Sequence, residues 1–280
     1  MLNNAVRFVR TFVSIFNGNR LTRAAAALSY YLTMTFFPVV IVLYTLMGNS
    51  YDKAMRIVDF AENLMAEETI NFVREFLAYV ALNNSTAMMV AGLTVLITSA
   101  SAAVRSLQIT IGDAQGGMRF QGVLGFAISI LISLLLIVAI YFGVLVMLTG
   151  RSAMNRLNEF LPFIDISNSW NHMRFTILGG IMFVLVWGIY EYPKRKTDDY
   201  HTFPGAILAT LAMVGVSVAF SVFISASVKY SLVYGSLASI ILLMMWLYMS
   251  STVIYLGLTL NLTIRDFRPE KTVKPSKRKK

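Results

Sequence analysis

The sequence of 280 residues contains no cysteine and only two histidines, and charged side chains fill 14% of its positions. Without cysteine there is no disulfide, no thiolate metal site and no cysteine nucleophile. His172 and His201 fall in opposite connections between apolar segments, with no cluster of carboxylates beside either. A metal site is therefore not expected. No Ser/His/Asp arrangement and no glycine-rich phosphate loop is present, so neither an enzyme nor a bound cofactor is expected. The charge content is well below the roughly 25% of an average globular protein. So few ionic groups could not cover the surface of a soluble domain this long.

What the chain has instead is apolar: 57% of its residues are hydrophobic and the mean hydropathy is +0.66. A helix needs ~20 apolar residues to cross the hydrocarbon core of a bilayer. The uncharged runs give six such spans, at about 28–48, 86–108, 122–149, 174–191, 204–227 and 235–262. The fourth is short. The fold class expected is all-α: a polytopic membrane protein in which residues 1–266 form a single membrane domain and 267–280 a basic, disordered cytoplasmic tail.

Six spans place both termini on one side. The N-terminal segment, the second and fourth connections and the C-terminus hold 17 of the 24 basic residues, and the other connections hold 7. The positive-inside rule puts both termini in the cytoplasm. The net charge of +10 is thus a sign of orientation and not of nucleic-acid binding. Six of the ten residues from Lys271 to Lys280 are basic and none is aromatic, a composition for lying along an anionic inner leaflet. RNA binding would call for stacking side chains that the tail lacks.

Two connecting regions carry helical periodicity of their own. Val6, Val9, Val13 and Phe16 share one side of a segment that also holds Arg7 and Arg10, and Asn17-Gly18-Asn19 separates it from the first span. An amphipathic helix lying in the cytoplasmic interface is expected there. Between spans one and two, Ile57, Phe60, Ala61, Leu64 and Met65, and then Ile70, Val73, Phe76, Leu77 and Val80, recur at helical spacing. They read as a pair of amphipathic helices over the outer face, as packing cover or as a lid.

No Asp, Glu, Lys or Arg falls in the middle of a span. Ion-coupled transporters usually carry a carboxylate at that depth, so coupling here would rely on hydroxyls and carbonyls. The polar atoms come in stripes. Thr94, Thr98, Ala102 and Ser106 repeat every four residues in the second span, with Arg105 beside them at its cytoplasmic end. Gly205, Ala209, Ser217, Ser221 and Ser225 form a ridge in the fifth. Tyr248, Thr252, Tyr255 and Thr259 share a face of the sixth, close to Asn261. Pro38 interrupts the first span after Tyr30, Tyr31, Thr33 and Thr35, and a kink is expected. Small and hydroxyl side chains serve helix packing in membranes as readily as they line a cavity. Arg105 serves equally as a headgroup anchor or as a contact for an anionic substrate.

The C-terminal half carries a more specific pattern. Ile189-Tyr190-Glu191-Tyr192-Pro193, Phe203-Pro204-Gly205-Ala206, Tyr234-Gly235-Ser236-Leu237, Trp246-Leu247-Tyr248-Met249-Ser250, Leu256-Gly257 and Leu260-Asn261, together with Leu28-Ser29-Tyr30-Tyr31 and Phe37-Pro38, resemble the YihY/BrkB family over about residues 8 to 264. The resemblance implies a six-helix protein of the bacterial inner membrane, in which Pro193, Pro204, Gly205, Tyr234, Gly235, Trp246 and Gly257 are motif positions. Some members bear an old ribonuclease BN label, which this sequence, lacking a His-x-His-x-Asp-His run, does not support. Other relatives are linked to envelope lipids. The family usually closes its last helix with Gly-Ala-Glu-Leu-Asn, where this chain has Gly257-Leu258-Thr259-Leu260-Asn261. The carboxylate is missing, and the substitution leaves Thr259 as a weaker stand-in or the function absent.

Taken together, these features lead to the expectation of a transporter or lipid-translocating protein for anionic envelope lipids or related solutes. Its cavity is expected among spans one, two, five and six. The rival expectation is a membrane scaffold whose polar stripes are packing. Membrane lipids are the expected partners, without nucleic acid.

Overall fold

A computed structural model describes residues 2–61, 67–116, 122–160, 166–193, 200–225 and 237–267. Among them there are nine helices and no strand: α1 (Leu2–Gly18), α2 (Leu21–Leu46), α3 (Tyr51–Ala61), α4 (Glu67–Leu82), α5 (Thr86–Ala114), α6 (Gly122–Phe160), α7 (Ile166–Glu191), α8 (Phe203–Ser225) and α9 (Leu237–Phe267). The all-α expectation holds. Five stretches are long and apolar enough to cross a membrane: Leu21–Leu46, Thr86–Ala114, Gly122–Val146, Phe203–Phe220 and Ile240–Phe267. The apolar stretch Thr176–Glu191 of α7 is shorter, as its run of uncharged residues foretold. Several helices outrun the apolar segments that define them. α2 begins at Leu21 and α9 continues to Phe267, because backbone hydrogen bonding does not stop where the hydrocarbon does. The C-terminal tail and the Tyr234-Gly235 turn lie outside the described residues.

α1 is a separate helix, divided from α2 at Arg20, whose backbone is left-handed (φ 52°). Phe8 packs on Phe267 at 5.3 Å between ring centroids, and the Arg7 guanidinium lies over the same ring at 5.5 Å. This contact ties α1 to the end of α9. Ile15 and Phe16 reach the core, while Val6, Val9 and Val13 stay exposed. That apolar stripe is left for lipid, as an interfacial helix requires.

α3 and α4 form the expected amphipathic pair. Ala54 and Val58 of α3 and Ile70, Leu77 and Val80 of α4 bury against Tyr44 and Met47 at the far end of α2. Arg74 and Asp59 join them by an ion pair of 3.2 Å. The pair caps the end of the bundle opposite α1.

The main core lies where α2, α5, α7, α8 and α9 meet. Leu28, Ile111, Tyr190, Tyr255, Leu258 and Leu262 are almost completely enclosed there. α2 runs unbroken through Pro38, which is buried. It lies tightly along α5, where Gly92 faces Ile41 closely enough that an added Cβ would stand 3.1 Å from the Ile41 Cγ2. Thr35 Oγ1 bonds Ser99 Oγ across the same interface at 3.1 Å.

Candidate functional site

Two regions at the α1 end of the bundle concentrate the polar residues. They are built in opposite ways.

The first is a groove between α2, α5 and α6, with a volume of about 520 Å³. Its α5 wall runs from Ile97 through Thr98, Ser101, Ala102, Arg105 and Ser106 to Thr110; Tyr31 faces it from α2, and Phe126 and Ile130 from α6. Fourteen residues of helix, rising about 1.5 Å from each to the next, make that wall roughly 20 Å long. It therefore extends from the last turns of α5 to about the middle of that helix. Hydroxyls supply most of the polarity. Thr98 bonds back to Thr94 at 3.0 Å, so its donor is satisfied while oxygen lone pairs remain for other partners. Behind the groove, Ser101 and Ser133 pair at 3.0 Å, and Ser129 donates to Gln108 at 2.7 Å. These bonds hold α6 against α5 and fix the groove's width. The Arg105 guanidinium has one nitrogen, Nη1, shielded from solvent and without a hydrogen-bond partner among the described residues. An enclosed cationic donor with no partner is costly unless an anion meets it.

The second region is the crossing of α8 and α9, and it has no room at all. A Cβ built on Gly205 would collide with the Gly257 carbonyl oxygen and stand 2.5 Å from Asn261 Nδ2. One built on Gly257 would come within 2.5 Å of both the Gly205 oxygen and the Tyr190 hydroxyl. Only two glycines let these backbones touch. Asn261 closes the joint: its Oδ1 accepts from the Gly205 N–H at 2.7 Å, and its Nδ2 donates to the Thr202 carbonyl at 2.9 Å. The side chain of α9 thus satisfies a free amide at the start of α8, where a helix has no intrahelical acceptor of its own. Tyr190 of α7 donates its hydroxyl to the Ile254 carbonyl, and Thr202 donates to the Glu191 carboxylate at 2.6 Å. Three helices are fastened within a few residues.

The residues singled out from sequence divide between these regions. Tyr31, Thr98 and Arg105 meet in the groove. Tyr30 is half exposed, its ring edge-on to Tyr31, and Thr94 lies exposed one turn beyond the groove. The Tyr255 hydroxyl is buried toward Thr110 of the groove wall, without a hydrogen bond of acceptable geometry. The others are held in packing. Thr259 is fully buried and donates to the Tyr255 carbonyl of its own helix at 2.8 Å. Asn261 is the clamp just described. Thr252 bonds back to the Tyr248 carbonyl, Tyr248 lies against the core, and Ser217 is buried on α8. Ser221 lies in α8 and its side chain is outside the described residues. Pro38 does not line the groove. Of the motif positions, Gly205 and Gly257 form the crossing, Pro204 follows Phe203 in the first turn of α8, and Pro193 is buried just past α7. Trp246 packs on the Phe220–Leu242 cluster.

The groove therefore draws on spans one, two and three, and not on five and six. Phe126 and Ile130 gave no sign of this from sequence, since the spanning stretch of α6, Gly122–Val146, has no charged side chain and only two serines among its apolar residues. Glu191 and Thr202 were also missed, one as part of a motif and the other as a loop residue.

The family model described as Virulence factor BrkB matches residues 12–280. The chain belongs to the BrkB family. Among BrkB-type relatives, the putative ribonuclease-like protein YfkH of Bacillus subtilis is 27% identical over 85% of this chain and 87% of its own length. A UPF0761 membrane protein of Histophilus somni is 24% identical over 96% of this chain and 93% of its own. Another from Aggregatibacter aphrophilus is 24% identical, covering 95% of both. No solved structure matches. With its apolar helices, this BrkB member is a multi-pass membrane protein.

Proposed function

We propose that the protein is a transporter or lipid-translocating protein of the bacterial cytoplasmic membrane, and that the α2/α5/α6 groove holds its substrate. The observation that carries this reading is the enclosed Arg105 nitrogen, without a partner among the described residues, in a mostly apolar groove with a few hydroxyls that reaches toward mid-membrane. Its charge selects anions, which favours anionic envelope lipids or related solutes. The groove's margin includes the exposed apolar side chains of Ile109 and Phe126, so it opens sideways, toward acyl chains. With both termini cytoplasmic, Arg105 stands near the inner headgroups and the groove leads outward from them. The basic composition of residues 271–280 suits attraction to the same anionic leaflet, at about 1 kcal/mol per charge near the surface. The ribonuclease-like name of the Bacillus subtilis relative adds no catalytic reading for a chain with two histidines and no cysteine.

The test is reconstitution. Proteoliposomes holding the wild type should move labelled anionic lipids or small organic anions between leaflets or compartments, and Arg105→Gln should slow the movement at least tenfold. If the wild type moves nothing across a broad panel, the scaffold reading takes its place. That second reading draws on the α8/α9 crossing, which is packing throughout.

A further inference from the structure

A separate pocket, about 220 Å³ in volume, is set between α5, α6 and α7, and none of the residues lining it lines the Arg105 groove. Its walls include Val104 and Gln108 of α5, Leu136 of α6, and Val184, Leu185 and Gly188 of α7. We propose that it holds one acyl chain of a membrane glycerolipid, with the ester carbonyl of that chain accepting a hydrogen bond from Gln108.

The donor is the first observation. Gln108 is buried, and Ser129 donates to its Oε1 at 2.7 Å. That bond leaves Nε2, which carries two N–H groups and accepts nothing. Nε2 is shielded from solvent and has no hydrogen-bond partner among the described residues. A buried amide donor without an acceptor is costly, and in a bilayer no water stands by to meet it. The aliphatic side chains around Gln108 supply no acceptor, so one has to arrive with the occupant. Packing against Ser129 accounts for one end of this side chain and leaves the other unexplained.

Depth and shape then select the occupant. Gln108 stands six residues before the end of α5 at Ala114, or roughly 9 Å along the helix axis. The headgroup region is roughly 5–8 Å thick on each side of the hydrocarbon. The amide therefore lies near the boundary where a glycerolipid carries its ester carbonyls, which accept and cannot donate. From there the pocket runs toward mid-membrane past Val104, one turn back on α5, and along α7 from Gly188 to Val184. Leu135 and Val184 line it and are exposed, so a chain can enter from the bilayer. An apolar cavity of roughly 150 Å³ takes a benzene. The 220 Å³ here admits a stretch of one chain and leaves the headgroup in the interface. Aliphatic surface facing lipid is ordinary on a spanning helix; an enclosed polar side chain within it is not.

The experiment removes the carbonyl from the lipid and the amide from the protein. The full chain, freed of lipid in detergent, is titrated with phosphatidylglycerol carrying ester-linked chains and with the same lipid ether-linked. Native mass spectrometry quantifies the first lipid bound. The wild type should hold the ester form at least fivefold more tightly than the ether form. Gln108→Leu, similar in size and without the amide, should bring the two affinities within twofold of each other. A Cβ on Gly188 meets nothing within 4 Å, so Gly188→Leu should fold and fill the pocket. It should lower the affinity for the ester form at least threefold and remove the preference, which keeps the test decisive if Gln108→Leu melts early. Leu211→Ala, on the exposed face of α8, should leave the preference unchanged. Equal affinity of the wild type for the two lipids, or a preference that survives in folded Gln108→Leu or Gly188→Leu, overturns the proposal. Displacement of the ester lipid by an equimolar short-chain isoprenoid quinone would assign the pocket to a quinone and overturn it as well.

Discussion

The α8/α9 crossing and the α2/α5/α6 groove sit at the same end of one bundle, and they use the same small and hydroxyl residues to opposite effect. At the crossing, Gly205, Gly257 and Asn261 bring two backbones into contact and leave no space. In the groove, Thr98, Ala102 and Ser106 follow a four-residue repeat of the same kind, yet a volume of about 520 Å³ remains beside them. The difference comes from what stands opposite. A helix presenting glycine to glycine closes. α5 presents its stripe to a gap bounded by Tyr31, Phe126 and Ile130, with α6 tied to α5 only deeper in the wall, by Ser101–Ser133 and Ser129–Gln108. A small-residue stripe therefore tells where helices can approach, and the opposing surface decides whether they do.

The largest effect should follow from filling the crossing. Gly257→Ala places a methyl against backbone and the Tyr190 hydroxyl, and should cost about 3 kcal/mol or more, at the upper end of overpacking penalties. Thermal melting in detergent should show a large fall or loss of monodisperse protein; an unchanged melt would mean the helices are further apart than described. Next comes Asn261→Leu, which strands the Gly205 N–H and removes a donor from the Thr202 carbonyl. A cost of about 2 kcal/mol is expected. The same melt measures it.

Smaller changes belong to the groove. Ser129→Ala removes the bond to Gln108 and should cost about 0.6 kcal/mol, the average for hydrogen bonds between membrane helices. Thr98→Val keeps the shape and removes a hydroxyl, so stability should stay within about 0.5 kcal/mol while substrate movement changes. If Thr98→Val destabilises as much as Asn261→Leu, the contrast between the two regions fails.

Much of the architecture could be read from the residues, because lipid imposes a length on each span and charge marks its ends. The α1 and α3/α4 helices were equally legible, since each has one apolar face and one polar face. Helix partners were not. The spanning stretch of α6, Gly122–Val146, and all of α8 lack charged side chains on any face, so hydropathy does not say which side meets a neighbour. Hence Phe126 and Ile130 went unnoticed as groove residues, and Ser217, Thr259 and Asn261 looked like cavity candidates. The bond from Asn261 to the Gly205 amide spans 56 positions and has no periodicity to announce it. Thr259, which stands where the family usually has glutamate, spends its hydroxyl on its own helix. No ligand role is needed to account for it.

The absence of cysteine makes the most direct test simple, since single cysteines can be introduced without a competing background. Ser106→Cys and Thr98→Cys in the groove, and Ala209→Cys and Thr259→Cys in the packed region, should be exposed in sealed vesicles to a charged, membrane-impermeant thiol reagent. A substrate-holding groove predicts modification of both groove positions from one side of the membrane only, slowed by a transported anion, with no modification at the packed positions. Groove positions as unreactive as Ala209→Cys, or a rate that no anion alters, would contradict it.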